Sequence, residues 1–318
     1  MTTRIVTHSG SFHADDVFGV AVLAALHPRH EIVRTREAQA LAGAASAVDV
    51  GGEWDAARGR FDHHQRGFDG GRPGAEAYAS AGLVWSEFGT AYVRQLAHAM
   101  QVTLDDSACA RIAADVDASL VRYLDLVDTG AAMVAPGAFG LLSQVAALHS
   151  TWLEERGLDA AGKARLQLER FREAMAVVGR FLQRLVQRRI GQELAADRVR
   201  NAGRLLDGRV LFLAEGGMPW TGIVLAEMPE VLLVLYPETD ETGQRHVLRT
   251  VPVEAGSFDA RMDLPAAWAG LRNEELAAVT GVPDALFCHT NLFIAVAVSQ
   301  EGALRLAAQA LEAAAPRP

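Results

Sequence analysis

Three adjacent polar side chains, Asp62, His63 and His64, follow the apolar Phe61 and precede a Gln65-Arg66-Gly67 turn. One carboxylate and two imidazoles can hold a divalent ion or move a proton. Neighbouring side chains of a strand face opposite ways, so three in a row cannot converge on one ion. At a strand end the chain bends, and two of the three can share a site. Residues of the same chemistry recur through the N-terminal half as His8, His13, Asp15, Asp49 and Asp128. Imidazole nitrogens and carboxylate oxygens without thiolate suit Mn²⁺, Fe²⁺, Co²⁺ or Mg²⁺ better than a structural Zn²⁺. The set is large enough for two ions if one carboxylate bridges them. Taken singly, each histidine has an ordinary structural explanation; gathered at one end of a sheet, the set does not.

The elements that must position these residues alternate between strand and helix. Arg4–Thr7 is β-type and ends at His8; a polar loop carrying His13, Asp15 and Asp16 leads into an apolar helix from Val17 to Leu26, stopped by His27-Pro28. Glu31–Thr35, Ser46–Val50 and Arg60–His64 read as further strands, with a helix over Arg36–Ala44. His8, His13, Asp15, Asp49 and His63 each end or follow a strand on one side of the predicted sheet, where open α/β sheets place their ligands. Gly51-Gly52 allows a tight turn after Asp49. The alternation predicts a right-handed, mostly parallel α/β sheet. Gly67–Ala77 is Gly-rich, and Ser80 stands as N-cap of a helix to about Met100, whose free N–H groups can meet an anion. Asp105–Asp128 is helical and places Asp125 and Asp128 on one face, with Gly130 as the stop. Helical stretches continue through Phe139–Arg156.

Lys163–Arg200 is a long amphipathic region rich in arginine. A solvated helix joining two domains is the favoured reading over a basic wall against phosphates. Beyond it the pattern turns to short strands, at Arg209–Ala214, Val231–Tyr236, His246–Val253, Ala285–His289 and Phe293–Val298, with helices at Asn273–Ala278 and Glu301–Ala314. The expected organisation is a catalytic α/β domain over 1–160, a helical linker over 161–204, and a smaller α+β substrate-binding domain over 205–318.

At 318 residues and 50% hydrophobic composition, the chain can bury the cores of two domains. A net charge of -9 disfavours indiscriminate nucleic-acid binding but leaves room for a local basic groove. Cys109 and Cys288 fit no metal spacing or disulfide framework and read as buried thiols. No signal-peptide pattern or membrane-length apolar run stands out, so the cytoplasm is the expected compartment.

Several stretches together resemble a known family. They are Thr7-His8-Ser9-Gly10-Ser11-Phe12-His13-Ala14-Asp15, Asp49-Val50-Gly51-Gly52, Phe61-Asp62-His63-His64-Gln65-Arg66-Gly67-Phe68, Ser80-Ala81-Gly82-Leu83-Val84 and Val127-Asp128-Thr129-Gly130. Trp268-Ala269-Gly270-Leu271-Arg272-Asn273-Glu274-Glu275-Leu276 and the His289…Phe293-Ile294 region extend the resemblance to the C-terminal half. The chain resembles the Myg (melanocyte proliferating gene) family of the DHH phosphoesterase superfamily.

The resemblance implies that His8, His13 and Asp49 hold one divalent ion, and that Asp15, Asp49, His63 and Asp128 hold a second. It implies His64 on substrate phosphate, Asp62 as support for a ligand imidazole, and Ser80, Arg66 and His289 in substrate binding. Where most of the superfamily carries an Asp, this chain has His13, a neutral and softer donor that favours Mn²⁺ over Mg²⁺. The implied activity is metal-dependent phosphodiester hydrolysis, most simply a 3′–5′ exonuclease on RNA or short oligonucleotides. A phosphohydrolase for a nucleotide or pyrophosphate and a non-catalytic nucleic-acid-binding module are the alternatives. The family's glycines after Phe-Ile are absent here, where Phe293-Ile294 is followed by Ala295-Val296. That departure concerns substrate contact more than metal chemistry.

Overall fold

Strand β1 (Thr3–Thr7) is an interior strand of the first sheet, and its Ile5, Val6 and Thr7 are all fully buried. The computed structural model describes residues 2–314 apart from 75, 134–139, 242 and 258. Contacts divide the chain into two units, 1–190 and 191–318.

In the first unit β1 is followed by α1 (Ala14–Leu26), β2 (His30–Arg34), α2 (Ala38–Ala42), β3 (Ser46–Val48), β4 (Trp54–Asp55) and β5 (Arg60–Phe61). The sheet order is β2-β1-β3-β5-β4, parallel except for β4, which pairs antiparallel with β5. The mostly parallel α/β class is therefore the one expected, with shorter strands. β3 stops at Val48 and β5 at Phe61 because the chain leaves the ladder at Asp49 and Asp62.

Helix α1 is buried on all sides from Ala14 to Ala24, so it is apolar all round rather than amphipathic. It lies against β3 and α3 (Ser80–Ala99), and Gly19 makes that approach possible. A Cβ at Gly19 would sit 2.9 Å from Val48 Cγ1 and 3.3 Å from Val84 Cγ2. Burying side chains such as Leu23 and Leu83 here stabilises the unit by roughly 1.5–3 kcal/mol each.

The helix read over Asp105–Asp128 is interrupted. α4 (Asp106–Val116) gives way to one π-helical turn, Asp117–Val121, before α5 (Arg122–Asp128). Such an insertion rotates the faces that follow it. Gly130, at φ 74°, follows the helix end as expected. Beyond it come α6 (Leu141–Ala147) and α7 (Trp152–Glu155); Phe139, where the sequence reading began this stretch, lies outside the described residues. Ser80 is the first residue of α3, and the N-cap is Ala79.

Helix α8 runs from Ala160 to Arg200. Its Phe171, Ala174, Val178, Leu182, Val186 and Ile190 are fully buried in the core of the first unit, and its Val199 joins a core of the second. Some of its arginines are matched by acids, Arg170 with Glu154 and Glu173, Arg189 with Asp115, Arg198 with Glu215, and Arg200 with Glu227 and Asp197, while Arg180 and Arg184 lie against Gln183 and Gln187.

The second unit contains β6 (Gly203–Leu205), β7 (Val210–Phe212), α9 (Thr221–Glu227), β8 (Leu233–Asp240), β9 (Gly243–Thr250), α10 (Asn273–Thr280), β10 (Ala285–Cys288), β11 (Ile294–Ala297) and α11 (Gln300–Ala314). Its sheet has the order β10-β11-β9-β8-β7-β6, with β7–β8 the parallel pair. Leu233 and Leu235 join the core that holds Leu306 and Leu311 of α11, while Val234 joins Val224 of α9 on the other face. This is the expected α+β class. The β8–β9 hairpin extends beyond the expected strands, and there Glu238 opposes Arg245 and pairs with it at 2.9 Å. Among the described residues no helix is long and apolar enough to cross a membrane.

Candidate active site

Thr7 pairs with Val48, and Val48 pairs with Phe61, across three parallel strands. The residues that follow them, His8, Asp49 and Asp62, therefore leave the sheet at the same level and on the same edge. Parallel pairing alone converts three distant points of the sequence into one site.

Asp49 leaves β3 in the left-handed conformation, at φ 56°, which is uncommon outside glycine and tolerated by Asp. Gly51 and Gly52 continue the turn at φ 105° and 63°. The Gly52 amide donates to Asp62 Oδ2 over 2.6 Å, tying this turn to the one after β5. Asp62 also accepts at Oδ1 from the His64 amide at 3.1 Å and from His64 Nδ1 at 2.8 Å. The imidazole that Asp62 orients is thus that of His64.

The ligand-type atoms converge around Asp49. His8 Nε2 lies 3.3 Å from Asp49 Oδ2, His63 Nε2 lies 3.5 Å from Asp49 Oδ1, and His64 Nδ1 lies 3.3 Å from the same oxygen. Asp128, at the end of α5, stands 3.2 Å from His63 Nε2 and 3.8 Å from His13 Nδ1. Three overlapping groups have atoms close enough to hold an ion: His8-His13-Asp49, Asp49-His63-His64 and His13-Asp15-Asp128. Asp49 and His13 each belong to two of them.

The donor set fits divalent cations. Both carboxylate oxygens of Asp15 are buried without a hydrogen-bond partner, as are Nε2 of His8 and Nε2 of His63. Burial, then the negative charges of Asp49, Asp128 and Asp16, push the Asp15 carboxyl well above the usual carboxylate range. Burial opposes the imidazolium form at His8, yet Asp16 and Asp49 raise it to about 10. Burial likewise opposes it at His63, where Asp128 and Asp49 raise it to about 10. Burial opposes ionisation of Asp49, but His63 and His8 hold its carboxyl far below the ordinary range. Protons on the imidazoles occupy the places where cations would balance the carboxylates.

Two cavities open beside the cluster and share His13. One, of about 360 Å³, is polar and is lined by His8, Arg36, Asp49, Gly51, Asp62 and His64. The other, of about 310 Å³, has Asp15 and Asp128 in its wall together with the apolar Phe12, Val127, Leu142 and Val145. Of the residues expected to touch substrate, the exposed His64 faces the polar cavity. Arg66 is exposed and lines neither. Ser80 is fully buried, and its hydroxyl donates to Asp49 Oδ1 at 3.0 Å. That bond commits it to Asp49. His289 follows β10 in the second unit, where its Nδ1 accepts from the Asn291 amide at 3.0 Å.

Sequence reasoning missed two residues. Asp16 lies 3.3 Å from His8 Nε2, while its other oxygen accepts from the His13 amide at 2.7 Å. The signal was the spacing from His13, which matches a helix-start position and its third residue. Arg36 supplies the cation of the polar cavity. It follows β2 at the same sheet edge as His8, but the sequence reading had placed it at the start of a helix that begins only at Ala38.

A family model described as uncharacterised protein family UPF0160, MYG1_exonuc, matches residues 4–311. A mouse protein named MYG1 exonuclease is 35% identical over 332 residues, covering 96% of this chain and 83% of its own. The human MYG1 exonuclease is 34% identical, covering 96% of this chain and 84% of its own. A MYG1 protein of Chlamydia trachomatis is 29% identical, covering 93% and 92%. With the family pattern running through both units, the chain belongs to the MYG1 family.

Proposed function

We propose that the protein is a divalent-metal-dependent phosphoesterase, acting as a 3′–5′ exonuclease on RNA or short oligonucleotides. The observation that carries this reading is Asp15, a buried carboxylate with both oxygens unpartnered and other carboxylates around it. Such a carboxyl is held in its neutral form by burial and by its neighbours' charge, and a cation beside it is what would let it ionise. The exonuclease names of the mouse and human relatives support the class of reaction.

In this reading His8, His13 and Asp49 hold one ion, and Asp15, Asp49, His63 and Asp128 hold the other, with Mn²⁺ as the metal. Two such ions supply water activation and neutralise charge on phosphorus oxygens. The chain's own residues position the substrate. His64, with Nδ1–H given to Asp62, presents Nε2 to a phosphate oxygen and donates to it in the imidazolium form. Arg36 adds a fixed cation at the same cavity. Water adds hydroxyl to phosphorus, the bond to the 3′ oxygen breaks, and that oxygen takes the remaining proton.

The test is incubation of the Mn²⁺-loaded protein with RNA labelled at its 5′ end. Stepwise shortening from the 3′ end is expected. Intact RNA after incubation with folded, metal-loaded protein would refute the exonuclease. Cleavage of pyrophosphate with RNA untouched would give the small-molecule phosphohydrolase, and RNA binding without turnover the binding module.

A further inference from the structure

The loop that follows His63 and His64 carries one arginine into the interior. Arg72 donates from Nε to Asp117 Oδ2 at 2.7 Å and from Nη2 to Asp117 Oδ1 at 2.6 Å. The same Nη2 lies 2.8 Å from Asp125 Oδ2, and the guanidinium stacks 4.8 Å from the Tyr78 ring centre. Asp117 opens the π-helical turn, and Asp125 sits on α5. None of these residues touches the ligand-type cluster.

Asp125 is nevertheless connected to that cluster twice. It is fully buried, and its Oδ1 accepts from the Gly82 amide at 2.9 Å, in the first turn of α3. A carboxylate at this place takes up a free amide of the helix start. Two residues earlier in that turn, Ser80 holds Asp49. On its own helix, Asp125 precedes Asp128 by one turn, and its carbonyl accepts from the Thr129 amide at 2.9 Å. One buried carboxylate therefore fixes the start of α3 and the end of α5 against each other.

That arrangement depends on a cation, because an isolated buried carboxylate takes up a proton or moves to water. Burial raises the Asp125 carboxyl to about 6 even with Arg72 beside it. Lysine could supply charge, but not the planar fork that reaches two carboxylates at once.

We infer that Arg72 is a positioning residue for the metal centre, acting through Asp125 to set the distance between Asp49 and Asp128. The inference rests on the metal assignment proposed above. Its effect is on metal affinity, and the experiment reads that directly. Mn²⁺ binding to the full-length protein is measured by calorimetry for wild type, Arg72→Ala and Arg72→Lys, each with and without non-denaturing guanidinium chloride. Arg72→Ala is expected to bind Mn²⁺ about tenfold or more weakly, in the range of residues that orient metal ligands. Added guanidinium should restore much of that loss by occupying the vacated space, whereas equal NaCl should not. Should Arg72→Ala fail to fold, Arg72→Lys carries the test: weaker Mn²⁺ binding with an unchanged melting temperature of the metal-free protein is expected. Wild-type affinity in whichever variant folds, or a loss that guanidinium cannot restore in a folded Arg72→Ala, overturns the role. A wild-type protein that binds no Mn²⁺ overturns the metal assignment, and this inference with it.

Discussion

Ser80 donates its hydroxyl to Oδ1 of Asp49 over 3.0 Å, and this is the oxygen that His63 and His64 also approach. The opposite oxygen of Asp49 faces His8. A carboxylate used from both sides and held by a buried hydroxyl is the natural bridge between two cations. Asp49→Ala should abolish tight Mn²⁺ binding altogether, while Ser80→Ala should weaken it about tenfold and leave the fold intact. Calorimetric titration with Mn²⁺, paired with thermal melts, measures both. A fully active Asp49→Ala protein would remove Asp49 from the centre.

The imidazoles set the direction of the pH dependence. His8 and His63 are both raised to about 10 in the metal-free protein, against an ordinary value of 6.5. They add stability that is complete below about pH 6.5 and is lost as pH rises toward about 10. Asp15, also raised, acts in the same direction: the stability of its protonated form is lost as pH rises through its folded value. Asp49, depressed, contributes above the usual carboxylate range and loses its contribution only in strong acid. Metal ions compete with the imidazole protons, so Mn²⁺ affinity should rise over the interval in which the metal-free protein loses stability. Calorimetry at about pH 7, in buffers of different ionisation heat, should detect release of at least about two protons on Mn²⁺ binding. Zero net release would contradict the imidazole assignment.

The sequence made this region legible because strand ends and ligand-type residues coincide: His8, Asp49 and Asp62 each come directly after a strand whose last residue is buried. Period and composition locate such edges well. They do not show which residue of a polar stretch turns inward. Asp15 and Asp16 are adjacent and both buried, yet one is unpartnered and the other is bonded to His13 and Thr7. The π-helical turn at Asp117–Val121 leaves no mark in the hydrophobic pattern, and helix α9, only seven residues long, is absent from the expected elements. Part of the cation pairing on α8 depends on acids distant in sequence, such as Asp115 for Arg189. Those partners emerge only once the chain is folded.

Gly82 has no room for a side chain. A Cβ there would lie 2.2 Å from Asp125 Oδ2 and 2.3 Å from Tyr78 Cδ1. Gly82→Ala must push the carboxylate away from the start of α3 or displace the tyrosine. The expected cost is on the order of 1–3 kcal/mol, the usual range for an overpacked core. Because Asp125 is displaced, metal affinity should fall together with stability. Urea unfolding of the metal-free protein and Mn²⁺ titration of the folded variant measure the two effects. A variant as stable as wild type would show that this contact yields easily.

The cavity beside Asp15 and Asp128 gives the proposed substrate its most direct structural test. Its wall of Phe12, Val127, Leu142 and Val145 is apolar, and His149, also in the wall, donates from Nε2 to the Phe12 carbonyl at 2.7 Å. A pyrophosphate has no use for such a surface, whereas a nucleobase does. Ala146 lines the cavity and is itself not a ligand-type residue, so Ala146→Trp should place an indole in the space while leaving the ligand-type side chains in the sequence unchanged. Mn²⁺ affinity should stay at the wild-type level. Turnover of a short RNA should fall about tenfold in kcat/KM, equivalent to roughly 1.4 kcal/mol of lost transition-state binding. Inhibition by pyrophosphate, which needs only the polar side, should be unchanged. Equal turnover of RNA by wild type and Ala146→Trp would show that the base lies elsewhere. A parallel loss of pyrophosphate inhibition would mean that the substitution had disturbed the centre itself.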